Sequence, residues 1–416
     1  MSNFIDINEY TAARDIGTFD EWSTNCGVQR SDGFQIVESE TNTGDIDYSI
    51  ITTEPIPGES PVLFVSNEMI FTSENIRAEF AGQNLGLEDA EQLLEKLGVP
   101  PSYFSQYHLF LKILIEYQNG SDSPWYPWLN SLPRKFSNGS SMTPYCYECL
   151  PPLVSKLSMN ERIKFINFYK SLQVISPNLL SDDIRNNQEL SKWAYNIVYT
   201  RCFGNTLVPM ADMFNHASID VNIEIRMDEN QNCYVYSLRD IQPNEPLCLS
   251  YGDPTNPSHL FATYGFLDES SPATFCKIMN IKPTPELQNI GLDYTKMLFF
   301  KDTGDITEEV WDVLLYQILE LRGEQNVKAE FYNAHMNGDA DTKNDIHQRY
   351  FEYTSSTLKD HVDTFLKELD DLSAKALTKN VNEHPRIPII LAHNAFVKET
   401  FLKVQTKING MVEQYA

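Results

Sequence analysis

Three polar side chains with ligand-binding chemistry lie close together in the segment LVPMADMFNHASIDVN, residues 207–222. Asp212, Asn215 and His216 follow an apolar run that has the composition of a buried strand. A buried carboxylate, amide or imidazole costs free energy unless a hydrogen-bond partner satisfies it. The segment therefore predicts that another part of the chain, or a ligand, supplies these partners.

Two further polar residues stand at the ends of predicted elements on either side of this segment. Arg201 ends the helical stretch LSKWAYNIVYTR, and Tyr251 ends the predicted strand LCLSY, whose leucines alternate on one face. Each residue alone has an ordinary explanation: a turn cap for Asn215 and His216, a surface ion pair for Arg201, core packing for Tyr251. Together they predict polar groups that converge where several elements end.

Charge and composition exclude some classes of function. The 416 residues carry a net charge of −26, and an acidic surface repels phosphate backbones, which argues against generic nucleic-acid binding. Such a surface tolerates a basic protein segment, although solubility explains it equally well. No apolar run approaches the ~20 residues that span a bilayer, and the N-terminal sequence lacks the features of a signal peptide. We therefore expect a cytoplasmic protein without membrane contact, with the nucleus or a plastid as alternatives.

The cysteines predict neither disulfides nor a metal site. Seven cysteines, an odd number scattered along the chain, suit a reducing compartment. CYEC at 146–149 has Cys-x-x-Cys spacing, but no second pair and no nearby histidine cluster completes a zinc site. Ordinary thiols are the better interpretation, and no metal is expected.

Strand-like and helix-like regions alternate along the chain. Residues 1–75 read as short strands and turns, and residues 207–252 show the alternation and turn signals of hairpins. Residues 87–118 and 159–203 carry apolar residues three and four apart, which predicts helices. In SPWYPWLNSLP, 123–133, three aromatics stand among three prolines, which predicts a rigid aromatic corner in place of a regular helix.

After about residue 285 the pattern is mostly helical. One apolar stripe joins Leu358, Val362, Phe365, Leu369 and Leu372. The length favours two or three domains, and the order of elements predicts an α+β fold with a separate helical C-terminal domain.

Several of these segments, taken in order, resemble the SET-domain protein methyltransferases. LVPMADMFNH with its Asn-His pair, LSYGD at 249–253 and LFATYGFL at 260–267 carry the likeness. SPWYPWLNSLP, KWAYNIVYTRCF and PVLFVSNEMIFTS match the subgroup typified by the plant Rubisco large-subunit lysine methyltransferase. The likeness covers about residues 20–270, and the helical tail agrees with that subgroup in character only.

The resemblance implies a fold and a domain order. It implies a SET-domain β-fold with a pseudoknot, interrupted by a helical insert and followed by an all-α substrate-binding domain. The corresponding segments are 1–75 and 191–275 for the two parts of the SET domain, 76–190 for the insert and 276–416 for the C-terminal domain.

The resemblance also implies S-adenosylmethionine as the cofactor and assigns roles within the site. Tyr251 corresponds to the catalytic tyrosine, Arg201 to the arginine that holds the cofactor carboxylate, and Asn215 and His216 to the pair that hydrogen-bonds the cofactor. Residues expected beside the substrate are Asp212, Tyr264 and Phe266.

The sequence departs from the family at one turn. Many members have Gly-x-Gly where the backbone approaches the methionine end of the cofactor, and alignment puts Asp47, Tyr48 and Ser49 there, with GFQIVESETNTGD as an added hairpin. A second alignment puts Gly33, in SDGF, in this role.

Three functions follow from the resemblance and the residues. The first is methylation of a lysine of a protein substrate by a monomeric enzyme. The second is methylation of histidine by the same fold. The third is a SET-fold interaction module without catalysis, which the missing glycines favour and the retained Arg201, Asn-His pair and Tyr251 oppose.

Overall fold

The computed structural model of the protein describes residues 4–40, 46–81, 83, 85–276, 281–293 and 295–415. The chain divides into two compact units. The first comprises Met1–Met142, Ser158–Tyr251 and Ala262–Gly265, and the second comprises Thr143–Leu157, Gly252–Phe261 and Phe266–Ala416. The four segments predicted from the sequence stay a prediction.

A four-stranded antiparallel sheet supports the first unit. Its strands follow the order Gln29–Arg30, Pro61–Val65, Cys233–Ser237 and Ile223–Met227. The last two form the hairpin predicted from alternating apolar residues, with Ile225 opposite Val235. Val235 and Val65 are fully buried, so one face of the sheet lies on the core.

A second hairpin lies along the chain between the strands Gln29–Arg30 and Pro61–Val65 of this sheet and carries three predicted site residues. Phe34–Glu40 pairs with Ile46–Thr52 in antiparallel register. The added hairpin was expected within residues 33–45, of which 41–45 lie outside the described residues, and a turn was expected at Asp47, Tyr48 and Ser49. Both expectations are wrong, because these three residues belong to the second strand of the hairpin. Gly33 opens the hairpin with φ of 77°, and a Cβ there would lie 2.5 Å from the backbone nitrogen of Glu54. Glycine is therefore required for the chain to close against itself at this turn.

Short strands and a tight turn hold the Asn-His pair, and here two sequence predictions are wrong. Asn215–His216 pairs in parallel with Cys248–Leu249, and the strand ends there instead of continuing to Tyr251. The reason is that the His216 imidazole, not a backbone carbonyl, accepts the Tyr251 N–H at 3.0 Å. The preceding apolar run is not one strand either: Thr206–Leu207 pairs with Phe71–Thr72 and soon gives way to a turn.

That turn is a 3₁₀ segment, Ala211–Met213. Met210, immediately before it, has φ of 76°, a conformation that a side chain resists and that interrupts extended structure.

Helices cover the strands of the first unit. They are Ile16–Asn25, Ser73–Phe80, Leu87–Lys96, Phe104–Asn119, Tyr126–Ser131, Asp182–Arg185 and Gln188–Arg201, with 3₁₀ turns at Asn67–Met69, Pro101–Tyr103, Gly120–Asp122, Gly139–Ser141 and Leu172–Val174. Pro152–Ser171 and Pro257–Tyr264 contain residues of both units.

The aromatic corner contains a short helix, contrary to the prediction from its prolines. Pro127 lies in the first turn of Tyr126–Ser131, where a missing N–H breaks no hydrogen bond of the helix. Trp128 is fully buried, with its ring centroid 5.5 Å from that of Phe71. The aromatic packing expected of this segment is thus present within a helix of six residues.

The second unit is mainly helical. Its helices are Pro144–Tyr147, Pro285–Ile290, Glu308–Leu321, Gln325–Asn337, Ala340–Leu377 and Ile387–Tyr415, and its strand pair is Ala273–Phe275 with Leu298–Phe300. Four residues of the predicted stripe are buried and Leu372 is half-buried. The predicted α+β fold with a helical C-terminal region is therefore confirmed.

Two properties of the described residues bear on membrane and metal binding. None of the helices that the structure describes combines the length and apolar character needed to cross a membrane. The same part of the chain holds no group of three or more side chains able to bind a metal ion. All seven cysteines are free thiols, including Cys146 and Cys149 of the CYEC motif.

Candidate active site

Arg201 and Asp212 form a buried ion pair at the centre of the candidate site. Arg201 is the last residue of the helix Gln188–Arg201, and its Nη1 donates to the Asp212 carbonyl oxygen at 2.7 Å and to Oδ2 at 3.2 Å. Trp128 Nε1 donates to the same Oδ2 at 3.2 Å. Burial raises the pKa of Asp212, and the charge of Arg201 opposes that rise. The ion pair ties the end of the helix to the turn before the Asn-His pair.

Arg14, which the sequence did not point to, lies beside this ion pair. Its Nη1 donates to Asp47 Oδ1 at 3.0 Å, and its guanidinium carbon lies 4.7 Å from the centre of the Tyr48 ring. Burial, followed by the charge of Arg201, lowers the pKa of Arg14 to about 10. Arg14 thereby connects the strand Ile46–Thr52 to the ion pair of Arg201.

The Asn-His pair connects the same strand to Tyr251. Asn215 Nδ2 donates to the backbone oxygen of Tyr48 at 3.4 Å, a long hydrogen bond. His216 uses one ring nitrogen, Nδ1, to accept the Tyr251 N–H. Its Nε2 lies 3.2 Å from Ser218 Oγ. The pair thus sits between the predicted cofactor turn and the predicted catalytic tyrosine.

The phenol of Tyr251 is held in place by the backbone. Its hydroxyl donates to the Phe214 carbonyl oxygen at 2.5 Å, and its ring centroid lies 5.3 Å from that of His216 and 4.9 Å from that of Tyr264. Burial raises the pKa of Tyr251 well above its usual range, and the charges of Arg201, Asp47 and Asp212 also act on it. Burial raises the pKa of Tyr264 to about 12. Both phenols therefore stay protonated at neutral pH.

Most of the residues singled out from the sequence lie together in the first unit. The contacts described above join Arg201, Asp212, Asp47, Tyr48, Asn215, His216, Tyr251 and Tyr264. Ser49 is half-buried opposite Val37 in the hairpin. Phe266 is half-buried and belongs to the second unit, so its place beside a substrate stays a prediction. The side chain of Asp212 is fully buried, and its predicted contact with substrate also stays a prediction.

Comparison with known protein families identifies the domain that contains this site. Residues 47–252 match the sequence model of the SET domain, a segment that begins at Asp47 and ends just after Tyr251. The protein contains a SET domain. All eight residues joined by the contacts above, except Tyr264, lie within the matched segment.

Solved structures give the same architecture over nearly the whole chain. A structure of Rubisco LSMT bound to sinefungin and monomethyllysine is 15% identical, with a TM-score of 0.60 over 96% of this chain and 92% of that one. The SET domain of LSMT bound to lysine and AdoHcy is 13% identical, with a TM-score of 0.60 over 95% and 91%. Rubisco LSMT bound to AdoMet is 15% identical, with a TM-score of 0.59 over 97% and 93%. At these identities the likeness establishes the fold.

Among curated proteins, none matches this sequence. The SET domain and its fold therefore rest on the family model and on the solved structures.

Arg14, Met213 and Phe214 are the residues of the site that sequence reasoning missed. Met213 and Phe214 stand inside the motif, but an apolar side chain there carries no chemical signal. Arg14 lies outside the matched segment, and nothing in its spacing relates it to Asp47 or Met213.

Proposed function

We propose that the SET domain transfers a methyl group from S-adenosylmethionine to a lysine side chain of a protein substrate. The observation that carries this proposal is the single buried site formed by the Arg201–Asp212 ion pair, the Asn-His pair and the Tyr251 phenol. The matched SET domain supports the reaction class. The relatives whose structures contain AdoMet or AdoHcy support the cofactor.

The residues of the site fit this cofactor. Arg201 Nε and Asp212 Oδ1 are both buried, and neither atom has a hydrogen-bond partner among the described residues. A buried polar group left without a partner costs about 1–3 kcal/mol. A ligand with a carboxylate and an ammonium group satisfies an orphaned guanidinium donor and an orphaned carboxylate acceptor. The Asn215 amide, with its one long hydrogen bond at 3.4 Å, is also available to a ligand.

When bound, S-adenosylmethionine supplies an electrophilic methyl group. Tyr251 orients the attacking nitrogen: its hydroxyl donates its proton to the Phe214 carbonyl, and a phenol oxygen can accept a hydrogen bond from the substrate amine. Because the phenol stays protonated, it acts by position and not as a general base. Positioning of the two reactants accounts for much of the rate in this kind of reaction.

Burial of the substrate lysine favours the neutral form of its amine, which is the form that can attack the methyl group. A lysine ammonium has a reference pKa of ~10.4 and no free electron pair. The Tyr251 and Tyr264 rings, 4.9 Å apart, present a desolvating surface that favours the neutral amine. The charge of Arg201, which also acts on the Tyr251 phenol, favours the neutral amine in the same way.

Lysine is favoured over histidine as the target by the relatives, two of whose structures contain lysine or monomethyllysine. Incubation of the protein with radiolabelled cofactor and a host lysate, followed by identification of the labelled residue, tests this choice. Label on a histidine would instead support histidine methylation by the same fold. A monomeric state and a cytoplasmic location stay predictions.

Calorimetry tests cofactor binding. The wild-type protein should release heat on titration with S-adenosylmethionine, and Asn215→Ala should abolish it with little loss of stability, because the residue makes only one long hydrogen bond. Asn232→Ala is the matched control, since its amide bonds Asp228 in the hairpin turn and should leave binding unchanged. Absence of heat with the folded wild-type protein would refute the enzyme and favour the interaction module.

A further inference from the structure

Arg14 places a second buried guanidinium next to that of Arg201. The side chains are 9% and 12% exposed, so solvent screens neither charge well. Arg14 Nη2 and Arg201 Nη1 each lie 3.9 Å from the same atom, Met213 Sδ. Two positive charges therefore contact the same side chain inside the site.

Each guanidinium has a donor that no oxygen of the described residues accepts. Arg14 uses Nε for the Ser131 carbonyl at 2.6 Å and Nη1 for Asp47, which leaves Nη2 with the Met213 sulfur alone. Arg201 uses Nη1 for Asp212 and leaves Nε without a partner among the residues that the structure describes. Because a thioether is a weak acceptor, the donors remain available.

The charge balance also favours an anion here. Asp212 is committed to Arg201, and Asp47 is 41% exposed, so water weakens its compensation of Arg14. Burial, followed by the charge of Arg201, lowers the pKa of Arg14 to about 10, so Arg14 stays protonated at neutral pH. A carboxylate bound by both guanidiniums relieves this repulsion, and a guanidinium fork suits a carboxylate.

We propose that Arg14 is a second arginine that, with Arg201, binds the carboxylate of the methionine part of the cofactor. Arg14 lies over Tyr48 and donates to Asp47, in the strand Ile46–Thr52, at the positions where neither expected glycine is present. Its side chain therefore supplies donors there. The inference rests on the proposed function and adds a cofactor-binding residue from outside the matched SET segment.

Two ligands that differ in the carboxylate test this role. Calorimetry is done with S-adenosylmethionine and with 5′-methylthioadenosine, which lacks the amino acid part. Loss of a charge-assisted hydrogen bond corresponds to about a 10- to 100-fold change in affinity, so Arg14→Gln should weaken S-adenosylmethionine binding by that factor. Its affinity for 5′-methylthioadenosine should equal that of the wild type. Arg14→Lys, which keeps the charge but not the fork, should weaken binding less and serves if Arg14→Gln does not fold.

Arg134→Gln is the matched control. Arg134 is also buried, has its pKa lowered to about 10 by burial, and donates to carbonyls at the end of the helix Tyr126–Ser131, as Arg14 does. Arg134 donates its hydrogen bonds to Asp6, Leu129, Asn130 and Leu132, so its replacement should leave the ratio of the two affinities unchanged.

The possible results separate this inference from the proposed function. If Arg14→Gln weakens both ligands equally, or neither, Arg14 has a structural role only and the inference is wrong. If the wild-type protein binds 5′-methylthioadenosine but not S-adenosylmethionine, the carboxylate site is refuted. If it binds neither, the proposed function fails and the inference fails with it.

Discussion

Replacement of Tyr251 by phenylalanine removes one hydroxyl and leaves the ring in place. That hydroxyl donates to the Phe214 carbonyl at 2.5 Å in a buried site. Its loss should cost about 1–2 kcal/mol of unfolding free energy, because a buried carbonyl loses its donor. Loss of an oriented polar group at a reacting centre typically lowers kcat by about 100- to 1000-fold. Cofactor affinity should stay unchanged, since Arg201 and the Asn215 amide donate their hydrogen bonds to Asp212 and to Tyr48.

Methyl transfer from radiolabelled S-adenosylmethionine, calorimetry and urea denaturation measure the three quantities separately. Tyr195→Phe is the control: Tyr195 is fully buried, and its hydroxyl donates to the Glu161 carbonyl at 3.2 Å. It should lose similar stability with no loss of rate. Undiminished methyl transfer by Tyr251→Phe, or an equal loss of rate in both variants, would refute the role assigned to Tyr251.

Two further predictions concern stability. Gly33→Ala should lower the unfolding free energy by more than the ~1–2 kcal/mol cost of positive φ, because its Cβ would lie 2.5 Å from the backbone nitrogen of Glu54. Gly27→Ala is the control for the backbone cost alone, because Gly27 has φ of 86° and a Cβ there would have nothing within 4 Å. Equal losses of unfolding free energy in the two variants would contradict the close approach at Gly33. Burial lowers the pKa of His361, beside Phe401, from 6.5 to about 4, so the unfolded state binds more protons between these values and stability falls as pH falls through this window. Between about pH 7 and about pH 5 the loss should be about 1–2 kcal/mol, measured by urea denaturation, and His361→Phe should remove that part of the pH dependence.

The elements that the sequence predicted well are those with a local period. The hairpin at 223–237 and the helix ending at Arg201 follow from apolar spacing, because one face of each element is buried. The motif residues Arg201, Asn215, His216 and Tyr251 were expected to converge, and they do so in one unit.

The features that the sequence did not reveal depend on contacts between distant residues. The strand predicted to reach Tyr251 stops earlier because a side chain, His216, takes the place of a backbone acceptor. Arg14 contacts a residue 199 positions later, and no periodic pattern encodes such a contact. Pro127 marks a helix start where a helix break was expected, since proline favours both and only the neighbouring packing distinguishes them.

The distance along the chain between Arg14 and Met213 has a consequence for synthesis. A nascent chain carries Arg14 from the beginning but lacks its partner at Met213 until 199 more residues have been added, and it lacks Tyr251 for longer still. Contacts of such long sequence separation form slowly because the intervening loop must first be closed. Until then the buried arginine is exposed on an incomplete chain. The close approach of Arg14 and Arg201 is therefore expected among the late steps in the folding of this domain.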